Sequence, residues 1–137
     1  MAGYKEPQRI ETDVEMRAFG AILSADLKAG DIVLLEGELG AGKTTLVRGI
    51  LTGLGWAGEV RSPTFNLLQV YLTEPPVLHA DLYRVKGWEG IGIEDYLDSH
   101  LCLIEWPDRA ASLVAGLRVI RIKIDFEGDG RRVTVAC

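Results

Sequence analysis

Apolar residues follow two different rhythms near the two ends of this chain. Between Val14 and Leu27 they recur every third or fourth residue, as Val14, Ala18 and Ile22 joined by Phe19, Leu23 and Leu27. That spacing predicts an amphipathic helix running to about residue 28. Thr12-Asp13-Val14-Glu15 precedes it as a capping box: the Thr12 hydroxyl accepts from the third helical N–H and Glu15 reaches back. From Ile120 the period becomes two. Ile120, Ile122, Ile124 and Phe126 share one face, with Arg121, Lys123 and Asp125 on the other. Glu127-Gly128-Asp129-Gly130 turns the chain, and Val133, Val135 and Cys137 resume the alternation. An antiparallel C-terminal hairpin with one face on the core is predicted.

Between these ends the apolar runs are short and nearly unbroken. Ala29-Gly30-Asp31 ends the first helix and leads into Ile32-Val33-Leu34-Leu35, a buried strand, and Leu101-Cys102-Leu103-Ile104 reads the same way before Glu105-Trp106-Pro107. Thr45 to Leu51 continues as a helix to about Leu54, where Gly55 is a natural stop. Arg61-Ser62-Pro63-Thr64 reads as loop. Phe65–Tyr71 and Val77–Tyr83 read as strands joined by the turn Thr73-Glu74-Pro75-Pro76, hence a second antiparallel hairpin. Ile93 to Leu97 can make only a short helix.

The junction of the first buried strand with the second helix carries the chemistry. Residues 37–44 read Gly-Glu-Leu-Gly-Ala-Gly-Lys-Thr, a complete G-x-x-x-x-G-K-T phosphate loop. Gly37 and Gly42 let successive amide N–H groups turn inward around phosphates. Lys43 brings a point charge to the β- and γ-phosphates, and the Thr44 hydroxyl suits magnesium. The helix that follows aims the positive end of its dipole at the anion. Strand, loop and helix in this order predict an α/β fold, a single-domain three-layer sandwich of the phosphate-loop NTPase kind with a mixed central sheet.

Composition narrows the setting. The 137 residues bound one domain, and a net charge of −5 with no lysine-arginine block argues against a strongly cationic nucleic-acid surface. Two cysteines, Cys102 inside an apolar run and Cys137 at the end, lack metal-ligand spacing and suggest a reducing compartment. No apolar stretch approaches 18 residues, so a cytoplasmic protein without a membrane segment is expected.

A phosphate loop needs a carboxylate from a neighbouring strand end to hold magnesium or orient water. Glu105, after Leu-Cys-Leu-Ile, ranks first, and Asp81, after Val-Leu-His-Ala, second. Thr64, about 20 residues beyond Lys43, could order its loop around a γ-phosphate or serve a plain turn. His79 shares a strand face with Asp81, which fits a hydrogen-bonded supporting histidine better than a metal ligand. Trp106 could be core or a partner surface. Arg131 and Arg132 could be charges guarding a sheet edge.

Taken together, the blocks Gly30–Leu35 with Gly37–Thr45, Ser62-Pro63-Thr64-Phe65, His79-Ala80-Asp81-Leu82-Tyr83-Arg84 and Leu103-Ile104-Glu105-Trp106-Pro107 resemble the bacterial TsaE (YjeE) family, in order and over essentially the whole chain. The resemblance implies an ATPase needed for threonylcarbamoylation of adenosine 37 in tRNA. It would act with the TsaD and TsaB proteins, with TsaC making the threonylcarbamoyl-adenylate and tRNA reached only through the complex. On that resemblance the loop residues Gly37, Glu38, Leu39, Gly40, Ala41, Gly42, Lys43, Thr44 and Thr45 bind ATP. Thr44 and Glu105 serve Mg2+, Asp81 supports metal or water, and Thr64 senses the γ-phosphate. Thr12 and Arg132 approach the base and ribose from the two ends of the chain. Two other readings remain: a small-molecule phosphate-loop kinase, although the short 84–100 region offers no arginine-rich lid, and a non-enzymatic nucleotide-dependent binding module.

Overall fold

Strands that are apolar on both faces must be covered on both sides, and that requirement organises this fold. The computed structural model describes residues 6–60 and 67–137. In chain order the elements are β1 (Gln8–Ile10), α1 (Asp13–Ser24), β2 (Ile32–Glu36), α2 (Lys43–Gly53), β3 (Leu68–Tyr71), β4 (Val77–Asp81), β5 (Leu101–Glu105), α3 (Ala111–Val114), β6 (Ile120–Glu127) and β7 (Gly130–Ala136). Single 3₁₀ turns lie at Ile93–Asp95 and Pro107–Ala110. The Ser62-Pro63-Thr64 loop and the start of the strand expected from Phe65 lie outside the described residues.

One seven-stranded sheet runs in the order β1-β7-β6-β2-β5-β4-β3. Its centre is parallel, β2 pairing with β5 and β6, and β5 with β4. The β3/β4 and β6/β7 hairpins are antiparallel, as is β1 on β7. Val33, Leu35, Leu101 and Leu103 face a core shared with α1 and α2. Ile32, Leu34, Cys102 and Ile104 face a second core under Ile93, Ala110 and Val114. This is the mixed α/β three-layer sandwich that the sequence predicts, with its antiparallel C-terminal hairpin.

The first helix departs from expectation in length and in facing. It ends at Ser24, where the Ala25 N–H turns back to the Ile22 carbonyl, and not near residue 28. Met16, Phe19, Gly20 and Leu23 form the buried face, whereas Val14 and Ile22 are 70% and 64% exposed. Close packing explains the rotation. A Cβ on Gly20 would lie 2.7 Å from the Leu46 carbonyl oxygen, and one on Gly49 only 2.2 Å from that of Arg17. The helices therefore touch backbone to backbone along their small residues, and the Val14 side is turned out to solvent. The Thr12 hydroxyl accepts from the Glu15 N–H at 3.1 Å as predicted, but the Glu15 carboxylate receives the Glu11 N–H, at 2.6 Å, in place of that of Thr12.

Three further details differ from expectation. β4 stops at Asp81, two residues before Tyr83. Phe126 lies at the open end of its strand, 48% exposed, with the Arg131 guanidinium 4.4 Å from its ring centroid. Cys137, expected to continue the inward row, is exposed. Gly49→Ala isolates the helix contact. Alanine in a solvated helix would gain about 1 kcal/mol over glycine, but here the added methyl forces the helices apart. A net loss of about 1–3 kcal/mol is expected from chemical denaturation; equal or greater stability would contradict the backbone contact.

Candidate functional site

The loop after β2 is shaped by what presses against it. At Gly37 a Cβ would sit 2.9 Å from the Ile124 carbonyl oxygen, so β6 leaves no room for a side chain where the chain exits the sheet. Gly42 holds φ +114° as the residue before α2, a left-handed geometry that disfavours any other residue. It brings no side chain to cap the helix, so the first-turn N–H groups stay directed toward the loop.

Lys43 begins α2 and turns its side chain back into the loop. Its ammonium donates to the Gly37 carbonyl and, at 3.4 Å, to that of Glu38. The nitrogen also lies 3.9 Å from the centroid of the Trp106 ring, and the residue is only 5% exposed. Burial lowers its pKa, against the upward pull of the Glu105 and Asp81 carboxylates. Trp106 reaches this position through a left-handed backbone (φ 60°, ψ 60°), which is costly for a bulky residue. Its ring packs against Tyr83 with centroids 4.7 Å apart.

The two acids come from adjacent strand ends. Register pairs Asp81 with Glu105 and Glu105 with Leu35, so both carboxylates emerge at the edge where β2 passes into the loop. Glu105 is almost completely buried and hydrogen-bonded to His79, Oε2 to Nε2, at 2.6 Å. Asp81 Oδ1 accepts from the Tyr83 N–H at 3.0 Å. Burial pushes the Asp81 carboxyl up, and the Glu105 charge adds to that, while the Tyr83 N–H and the Lys43 ammonium oppose it.

These groups line one groove of about 500 Å³, together with Leu39 to Thr45 and the start of α1. Thr12, at the cap of α1, lines it too. Gly37 and Glu38 enclose Lys43 through their carbonyls and face the opposite side of the loop. Arg132, expected near the base and ribose, is not among the lining residues; it points away and pairs with Glu127 at 2.6 Å. The hairpin arginine in the groove is Arg131, whose Nε donates to the Ala41 carbonyl at 3.0 Å. The period-two rule already places residue 131 in the row of Val133 and Val135, so alternation could have found it. Asp129, Glu11 and Asp13 also line the groove and carry no comparable sequence signal. Thr64 lies outside the described residues.

A larger cleft of about 1020 Å³ opens on the other side of the loop, over Leu34, Val114 and Val119, sharing only Leu39 and Trp106 with the groove. Lys43, Thr44, Asp81 and Glu105 all line the smaller space and not this one. In that smaller space the Thr44 hydroxyl and the Asp81 and Glu105 carboxylates stand beside a cradle for phosphate. Such hard oxygens suit magnesium, which takes one or two protein carboxylates and fills its remaining positions with phosphate and water.

The family model described as threonylcarbamoyl adenosine biosynthesis protein TsaE matches residues 10–134. The chain is 39% identical over 131 residues to a Streptomyces coelicolor protein, covering 88% of each chain. It is 40% identical over 121 residues to a Bacillus subtilis protein, covering 86% of this chain and 76% of that one. With a Haemophilus influenzae protein the identity is 35% over 136 residues, covering 92% and 85%. All three are named tRNA threonylcarbamoyladenosine biosynthesis protein TsaE. The crystal structure of Bacillus subtilis YdiB superposes with a TM-score of 0.79 at 30% identity, over 95% of this chain and 83% of that one.

The raised Asp81 carboxyl has a measurable consequence. The folded chain holds that proton more tightly than the unfolded chain does, so this group's contribution is fully present in acid and is lost as pH rises through the folded value. Asp81→Asn stays neutral and still accepts from Tyr83. Without ligand it is expected to melt above the parent at neutral pH, the gap closing once pH falls below about 3.9, the unfolded carboxylate value. A thermal melting series across that range checks both ends.

Proposed function

The chain belongs to the TsaE family, whose role lies in tRNA threonylcarbamoyladenosine biosynthesis, and from that premise we propose that it binds and hydrolyses ATP as an accessory of the TsaB–TsaD complex. The observation that carries this reading is the placement of the buried Lys43 ammonium. It is held by the loop carbonyls, at the foot of a groove that Asp81 and Glu105 border. A cation kept from water in this way, with its pKa lowered, is primed to exchange carbonyl partners for phosphate oxygens.

In this reading the N–H groups of the loop and of the first turn of α2 receive the phosphates, and Lys43 moves onto the β- and γ-oxygens. Thr44 and Glu105 hold Mg2+, which when bound neutralises charge on the phosphates. Asp81, at the next strand end, orients the attacking water or supports the metal. Thr64 senses the γ-phosphate. Thr12 and Arg131 close the groove toward the nucleoside.

Phosphoryl transfer also needs positive charge on the transition state. Arg84 is exposed and does not line the groove, so turnover is slow until a partner completes the site. The TsaB–TsaD pair supplies that completion, and tRNA is contacted through the complex, in keeping with the acidic net charge. No helix among the described residues is long and apolar enough to cross a membrane, which suits work beside tRNA in the cytoplasm. A small-molecule kinase has one observation in its favour, the apolar cleft against the outer side of the loop, which could take an acceptor.

Lys43→Ala removes a charge-assisted contact of about 1.5–3 kcal/mol. It is expected to weaken ATP binding by roughly 10- to 100-fold and to abolish hydrolysis, as read by nucleotide titration and phosphate release; normal turnover would overturn the assignment. Added TsaB–TsaD should raise phosphate release by the parent chain. Label passing from the γ-phosphate to a small acceptor would favour the kinase instead.

A further inference from the structure

His79 is an expensive residue to place where it is. It sits mid-strand in β4, fully buried, in the row of Val77 that faces α1 and α2. Its register partner on β5 is Leu103, and Glu105 lies diagonally ahead on the same face. Among the described residues the ring makes one polar contact, Nε2 to Glu105 Oε2 at 2.6 Å. Its other nitrogen, Nδ1, is buried with no hydrogen-bond partner among the described residues.

That orphaned nitrogen decides where the ring hydrogen sits. A hydrogen on Nδ1 would be a buried donor without an acceptor, the rarer and costlier defect. It would also turn a bare Nε2 lone pair toward the carboxylate. With the hydrogen on Nε2, the ring donates to Glu105 and leaves only an unused lone pair on Nδ1. We infer that His79 is a positioning residue, whose Nε2–H holds Glu105 Oε2 inside the protein and so fixes how the carboxylate meets the groove. The inference rests on the magnesium–ATP reading of that groove. A flexible carboxylate would have to be ordered when the metal–nucleotide pair arrives, whereas one already pinned is ordered in advance.

Two substitutions separate positioning from packing. The amide of glutamine can reach the place of Nε2, whereas that of asparagine reaches only the place of Nδ1. The probe is a fluorescent ATP analogue titrated with magnesium and again with chelator. His79→Asn is expected to lose about 10-fold or more of the magnesium-dependent affinity, with magnesium-free affinity within about twofold of the parent. His79→Gln should recover most of that loss. Equal magnesium dependence in all three proteins would overturn the positioning role. Nitrogen-15 NMR of the intact parent chain reads the same point without a variant: hydrogen on Nε2 is expected, and hydrogen on Nδ1 would overturn the inference even if both variants misfold. A parent that binds no nucleotide would overturn the functional reading and the positioning role together; a parent that binds, with an insensitive asparagine variant, removes the positioning role alone.

Discussion

The register of three parallel strands is the constraint on which the site depends. Leu35, Glu105 and Asp81 lie side by side on β2, β5 and β4, so a loop and two carboxylates open at one edge of the sheet. A slip of one residue would turn Glu105 and His79 to the opposite face, under Ala110 and Val114. Apolar burial alone guards poorly against such a slip, because these strands are covered on both faces and either row could be buried. Polar residues supply the discrimination. A histidine in the middle of β4 must find a partner when buried, and in this register it finds Glu105. The contact that orders the acid thus also helps to specify the pairing that brings the acid to the loop.

The site is assembled against local preference. Lys43 is held away from water, Asp81 carries a raised carboxyl beside Glu105, and Trp106 occupies a left-handed backbone. Each feature opposes folding slightly, and the apolar cores on both sheet faces must outweigh them. Strain and uncompensated charge gather where chemistry is done because a ligand can relieve them there. Phosphate would take the Lys43 ammonium from its carbonyls, and a divalent cation would lift the repulsion between the two acids. On the proposed reading, a groove less settled by itself than with nucleotide and metal would favour their arrival.

Much of this was legible in the residues. The phosphate loop announces itself because phosphate binding restricts backbone and side chain together at fixed spacing. Asp81 and Glu105 were legible because each closes an apolar run, and parallel pairing brings such ends to one edge. The facing of α1 was not. Its periodicity allows two overlapping stripes, and the deciding contact comes from Gly20 and Gly49, residues that a count of hydrophobic positions ignores. The choice between Arg131 and Arg132 was available from alternation but was overshadowed by their adjacency. The strand β1 was missed because three residues carry too little pattern to predict pairing with a partner more than 120 positions away.

That short strand explains why both ends of the chain reach the same groove. β1 pairs with β7 so that Ile10 lies opposite Arg131. The pairing carries the chain from Ile10 directly into Thr12, the cap of α1, beside the phosphate loop. It also sets Arg131 on the strand face from which its guanidinium reaches the Ala41 carbonyl. Arg9, in turn, bridges Glu11 and Glu127, at 2.6 Å and 2.8 Å, fastening the strand to the hairpin turn from the solvent side. Such exposed pairs contribute little individually. Their value lies in closing an edge whose backbone bonds are few. Without β1 the groove would lose Ile10 to Asp13 along one wall, while Lys43, Asp81 and Glu105 would keep their places. The phosphate end of the groove is therefore built by the sheet's parallel centre, and the opposite end by its antiparallel margin.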